Sequence, residues 1–308
     1  MRQHVRIPLA DGSALAATVA LPEGTPPVTG WPGVVVVHEI YGVEPDMLDV
    51  VDLFAEHGYA AVLPDLYSHG TRAGCLARAM HQLATGKPGR PAADIDATRR
   101  WLAGREDVDG GRLGVIGFCM GGGFALAYAA SAPPGVRAAS VNYGVVPRDQ
   151  EELRSVCPVV GSYGGRDQGF RSHGTRLQEH MRALGIEHDV EIYPTAGHSF
   201  MTDGHHPTAK LALFPLRHGL VRPAADDAWQ RTFAFFDKHV ANHESRQAST
   251  TDRTPVSLTR DSLPAQRPCD GGDDRGREDP ARQDESVGEP LPRAGRVESA
   301  FLAEIDHG

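Results

Sequence analysis

Cys119 stands between two glycines in Gly117-Phe118-Cys119-Met120-Gly121, where the apolar run Leu113-Gly114-Val115-Ile116 passes into a helical pattern from Gly122 to Ala130. A G-x-C-x-G junction is the thiol counterpart of the nucleophile elbow, a tight strand-to-helix turn that pushes its central side chain up at the sheet edge. Gly117 and Gly121 then have a steric purpose, removing side chains that would strike neighbouring backbone. The sulfur would sit over a helix N-terminus, whose partial positive charge suits a thiolate. Asp167, in Gly164-Gly165-Arg166-Asp167, and His198, in Ala196-Gly197-His198-Ser199-Phe200, each follow a further apolar run. In this arrangement His198 takes the Cys119 proton and later protonates the leaving group, while Asp167 fixes the imidazole tautomer. An acyl-thioenzyme forms and water hydrolyses it. The Met120 N–H, next after the nucleophile, and the Ile40 N–H are the candidate donors to the oxyanion.

Those residues converge only if the runs before them are parallel strands of one sheet. Val34-Val35-Val36-Val37 is a short, uninterrupted β-branched run, as expected of a strand buried on both faces. Ala60 to Leu63, Leu113 to Ile116, Ala138 to Val141, Pro158 to Tyr163 and Val190 to Tyr193 repeat the theme, with helical patterns at 47–57, 92–103, 122–130, 170–184 and 226–239. The alternation predicts a mostly parallel, doubly wound α/β sheet flanked by helices. Residues 6–20 read as an N-terminal antiparallel hairpin turning at Asp11-Gly12. Parallel strands deliver Cys119, Asp167 and His198 to the same sheet edge, and the order nucleophile, acid, histidine is that of the α/β-hydrolase fold.

The remaining composition narrows the function. Among 308 residues, 31 Lys and Arg against 40 Asp and Glu leave a formal charge of −9, which offers no footprint for nucleic acid. No stretch approaches the ~20 apolar residues that span a bilayer and no signal-peptide core opens the chain, so a cytoplasmic protein without membrane contact is expected. Cys75, Cys119, Cys157 and Cys269 form no C-x-x-C pair. His38-Glu39 does not begin a zinc H-E-x-x-H motif because position 42 is glycine, and His205-His206 lacks further ligands at metal spacing. No metal or cofactor is expected. From Asn242 to Gly308 the chain holds 14 Asp and Glu, nine Arg, no Lys and one aromatic, Phe301. Such a segment buries too little apolar surface to offset the entropy of ordering it, so residues 1–241 are expected to form the domain and 242–308 a disordered tail.

Five blocks together give the chain a resemblance to the dienelactone hydrolase family over roughly residues 5 to 241. They are Val36-Val37-His38-Glu39-Ile40-Tyr41-Gly42, Gly58-Tyr59-Ala60-Ala61-Val62-Leu63-Pro64-Asp65-Leu66-Tyr67, Ile116-Gly117-Phe118-Cys119-Met120-Gly121-Gly122, Gly164-Gly165-Arg166-Asp167 and Ala196-Gly197-His198-Ser199-Phe200. The resemblance implies an α/β-hydrolase fold and a role for Glu39, which in the family contacts the resting thiol and helps deprotonate it when substrate arrives. It also implies that Tyr143 lines the pocket, with Phe200 and Arg78 as further candidate substrate contacts. Of the two arginines that hold the substrate carboxylate in the original enzymes, the one shortly after His-Ser-Phe is missing here, where Met201-Thr202-Asp203 follows. The segment Gly204 to Pro223 is also longer than a minimal member needs. The expected activity is hydrolysis of a small ester, lactone or thioester by a monomer or homodimer. The alternative is a non-catalytic ligand-binding or redox-sensing protein that uses Cys119.

Overall fold

All seven residues of Trp31–Val37 (β3) are buried, and their side chains alternate between two cores. Val35 and Val37 pack on one side of the sheet, Val34 and Val36 on the other, which is why the run carries no polar position. The computed structural model describes residues 2–87, 89–202 and 219–242. All of the expected tail after its first residue, Asn242, with Cys269, and residues 204–218 of the long segment, with His205-His206, lie outside the described residues.

The chain opens with the hairpin Arg2–Pro8 (β1) and Ala14–Ala20 (β2), followed after β3 by Pro45–Glu56 (α1) and Ala60–Pro64 (β4). Next come Arg72–Thr85 (α2), Arg90–Ala103 (α3), Val108–Phe118 (β5), Met120–Ala130 (α4) and Val136–Asn142 (β6). Val159–Gly164 (β7), Arg171–Leu184 (α5), His188–Tyr193 (β8) and Arg222–Phe236 (α6) complete the described elements, with a short 3₁₀ turn at Gln150–Leu153 and a π-helical turn at Asp237–Ala241. The eight strands are ordered β1-β2-β4-β3-β5-β6-β7-β8; the pairs β1/β2 and β2/β4 are antiparallel and all others parallel.

One core joins the sheet to α2, α3, α4 and α5 through residues such as Ala79, Ile95, Leu102, Phe124, Leu177 and Met181. The other joins it to α1 and α6 through Met47, Val51, Phe54, Phe233 and Phe236. The expected doubly wound sheet is therefore present, and each expected strand and helix lies within or close to an observed one. The patterned segments did not include α2. Its apolar residues Cys75, Leu76, Ala79, Met80 and Leu83 do recur at helical spacing, and it carries end signals: Thr71 caps its N-terminus by accepting the Gly74 N–H, and Gly86 closes it at φ 65°. No described helix is long and apolar enough to cross a membrane.

Candidate active site

Strand β5 ends at Phe118 and α4 begins at Met120, so Cys119 alone makes the junction, at φ 53° and ψ −117°. For a residue with a side chain this conformation costs roughly 1–3 kcal/mol and persists only where the surroundings hold it. Here they do. The Cys119 N–H donates to the Asn142 carbonyl at 3.0 Å, and the Cys119 carbonyl accepts from Gly122 and Gly123 at 3.0 and 3.3 Å. A Cβ on Gly117 would lie 2.0 Å from the Gly121 carbonyl oxygen, and one on Gly121 would lie 2.2 Å from that of Val37. Both glycines are thus required by close backbone approach.

Asp167 follows β7 and His198 follows β8, and the two loops are packed backbone to backbone, since a Cβ on Gly164 would meet the Gly197 carbonyl oxygen at 2.3 Å. His198 Nδ1 lies 2.6 Å from Asp167 Oδ2, with both side chains buried. The other carboxylate oxygen accepts the Gly169 and Phe170 N–H groups, each at 3.2 Å, which sets the carboxylate plane. Burial by itself pushes the His198 pKa down. The Cys119 sulfur, acting as a charge and as a hydrogen-bond partner, and the Asp167 carboxylate outweigh it and hold the imidazole well above its ordinary range. The rings of Phe170 and Tyr143 flank the imidazole at centroid distances of 4.6 and 5.1 Å.

Glu39 is 2% exposed, and its Oε1 accepts the Ser199 hydroxyl at 3.0 Å. Ser199 holds φ 50°, which turns its side chain from the histidine loop toward the end of β3. The Tyr41 phenol is raised to about 12, first by burial and then by the nearby Cys119 and Glu39; the same three influences act on Tyr143. Met120 is the first residue of α4, where N–H groups have no partner within the helix. Ile40 is brought beside it because α4 starts against the end of β3, and the Tyr67 hydroxyl ties the two residues together. That hydroxyl donates to the Ile40 carbonyl at 2.8 Å and lies 3.6 Å from Met120 Sδ.

Cys119, His198, Asp167, Glu39, Ile40, Met120 and Tyr143 therefore share one region above the C-terminal ends of the parallel strands. Phe200 is fully buried, packed between Tyr143 and Tyr193 at 5.8 and 5.1 Å. Arg78 is exposed on α2, where its Nη2 donates to Cys75 Sγ at 3.1 Å. Three participants escaped the sequence reading as individuals. Phe170 covers His198, Ser199 holds Glu39, and Tyr67 links the two N–H residues. The last two lie inside motif blocks, but only tertiary contact gives them a task.

The sequence pattern of the "Dienelactone hydrolase family" matches residues 15–240, a span that holds every one of these residues. The chain belongs to the dienelactone hydrolase family. Two curated relatives called "Putative carboxymethylenebutenolidase" are similar to it. The one from Methylorubrum extorquens is 32% identical over 77% of this chain and 80% of its own; the one from Yersinia pestis is 31% identical over 74% and 85%. Among solved structures, a "Putative Dienelactone Hydrolase" from Klebsiella pneumoniae superposes with a TM-score of 0.63 at 26% identity, covering 78% of this chain and 99% of that one. As a dienelactone hydrolase family member, the protein is a hydrolase acting on esters or lactones.

Proposed function

We propose that the protein hydrolyses a small ester or lactone through Cys119, His198 and Asp167 by way of an acyl-thioenzyme. The observation that carries this reading is the buried His198–Asp167 pair beside the half-buried Cys119, in which Nδ1 lies 2.6 Å from Asp167 Oδ2 and the sulfur acts on the imidazole as a charge and as a hydrogen-bond partner. The Cys119 sulfur attacks the substrate carbonyl, its proton passing to His198. The oxygen that becomes negative is held by the Ile40 and Met120 N–H groups. Collapse of the tetrahedral adduct breaks the carbonyl–oxygen bond, and His198 returns the proton to the departing alkoxide, which stays tethered when the substrate is a lactone. Water, deprotonated by the same imidazole, then cleaves the thioester and restores the thiol.

Glu39 acts as the partner that helps deprotonate Cys119, a role supported by its burial among Ser199, Tyr41 and Tyr143. Tyr143, beside His198, is the proposed apolar contact to the acyl portion, and Phe200, expected there from the resemblance, is instead buried behind it. With no arginine at the Met201-Thr202-Asp203 position, preference for a substrate carboxylate is expected to be weak. Residues 1–241 are proposed as the catalytic unit.

The test is a panel of dienelactone, aryl acetates and aryl thioacetates run on the wild type, Cys119→Ala and Glu39→Gln. Turnover that vanishes in Cys119→Ala and is reduced in Glu39→Gln is expected. Absence of wild-type turnover across the panel, with reversible oxidation of Cys119, would instead favour the redox-sensing alternative.

A further inference from the structure

His38 is fully buried at the end of β3, and the hydrolytic mechanism gives it no step. Its two ring nitrogens have unlike partners. The Leu66 N–H approaches Nε2 at 3.1 Å, and an N–H can only donate, so Nε2 carries no proton. The neutral ring's proton is then on Nδ1, which lies 2.7 Å from the Glu39 carbonyl oxygen and donates to it. Burial, which pushes the His38 pKa down, keeps the ring neutral.

The Glu39 carbonyl belongs to the same peptide unit as the Ile40 N–H. The chain has no cis peptide among the described residues, and in a trans unit C=O and N–H point in opposite directions. Fixing one fixes the other. The Glu39 oxygen is held from one side by His38 Nδ1 and the Gly42 N–H, the latter at 3.0 Å, so the Ile40 N–H is aimed away from both. The following carbonyl, of Ile40, is held by the Tyr67 hydroxyl, and that of Tyr41 by Arg72 Nη2. The Tyr67 ring also packs edge-on against His38 at 5.0 Å. Residues 39–41 form no regular element, yet each carbonyl has a side-chain donor.

We propose that His38 is a positioning residue for ester hydrolysis, orienting the Ile40 N–H toward the oxyanion by hydrogen-bonding the Glu39 carbonyl. The inference rests on the reading of Ile40 as an oxyanion donor behind a Cys119 nucleophile. A donor that must be preorganised loses most of its value when its peptide can rotate.

The experiment compares full-length wild type, His38→Phe, His38→Asn and Cys119→Ala in aryl acetate hydrolysis and in alkylation of Cys119 by iodoacetamide. Alkylation uses the same thiol but forms no oxyanion. In His38→Phe, which keeps the ring packing and loses both the Nδ1 donor and the acceptor for the Leu66 N–H, kcat should fall by about 10- to 100-fold with KM within about threefold, while the alkylation rate is unchanged. His38→Asn, whose amide nitrogen replaces Nδ1, should stay within about fivefold of wild type. Equal loss of hydrolysis and alkylation, or full activity in His38→Phe, overturns the proposal. Activity that survives in Cys119→Ala overturns the underlying mechanism instead. Should His38→Phe fail to fold, nitrogen-15 NMR of the wild type decides: a neutral His38 protonated on Nδ1 supports the proposal, and protonation on Nε2 overturns it.

Discussion

His198 receives opposing influences, and the balance between them sets the expected pH behaviour. Burial disfavours its charged form, whereas the Cys119 sulfur and Asp167 favour it and prevail. A folded-state pKa raised above the ordinary imidazole value means that this group stabilises the fold fully below that ordinary value. The contribution is lost as pH rises through the raised one. Activity that needs the imidazolium to protonate a leaving group should decline along the same alkaline limb. Replacing the carboxylate in Asp167→Asn removes one of the raising influences, so the alkaline limb of the kcat/KM profile should move to lower pH. In the same variant kcat should fall by about 10³-fold or more, because the amide no longer selects the Nδ1–H tautomer. Both are read from one pH–rate series. The identities of Cys119, Asp167 and His198 were legible in the chain because each sits at the end of a recognisable strand. Phe170 and Ser199 were not, since a phenylalanine over an imidazole and a serine on a carboxylate leave no spacing signature.

At the scale of elements, the site depends on backbones that nearly touch. Strand β5, α4 and the end of β3 meet through Gly117 and Gly121 with no room for a methyl group. Gly121→Ala would drive its Cβ into the Val37 and His38 carbonyls, at 2.2 and 2.5 Å, and must separate α4 from β3. A loss of about 3 kcal/mol or more in urea-unfolding free energy is expected. The damage should extend to activity, because the shift parts Met120 from Ile40. Helix α2 is absent from the expected helices although its sequence carries the pattern. Cys75, Leu76, Ala79 and Leu83 recur on one face and pack into or against the core shared with α3 and α4. The caps at Thr71 and Gly86 mark its ends.

Across the whole molecule, the sheet divides the interior into two cores, and the one bounded by α1 and α6 is rich in aromatic side chains. Phe54 lies at its centre, with the rings of Phe233, Phe236, Tyr59 and Trp229 at 5.1, 5.8, 5.8 and 6.2 Å. This core carries α6 against the strands and continues through Trp229 and Phe118, 5.9 Å apart, to Cys119 and Tyr143. Phe54→Ala should therefore lower unfolding stability by about 3–5 kcal/mol in urea unfolding, the cost of removing a large buried ring. The acidic, apolar-poor segment from Asn242 onward is expected to add nothing to this ledger of buried surface. Trimming the chain after residue 242 by limited proteolysis should keep kcat/KM within about twofold of the intact protein. Inactivity of the trimmed protein would assign the segment a part in catalysis or assembly.

Hydrophobic period, glycine spacing and the order of Cys119, Asp167 and His198 are properties of neighbouring residues along the chain. They determined the doubly wound sheet, the elbow and the three side chains at its edge, because strand direction alone carries those loops to one rim. Which groups hold that edge in working geometry was decided only by tertiary structure. Ser199 on Glu39, Phe170 on His198, Tyr67 on Ile40 and His38 on the Glu39 carbonyl join residues from separate loops or depend on how a backbone unit is turned. Hydrogen-bond direction and ring stacking exist only once the chain has packed, and no local pattern encodes them.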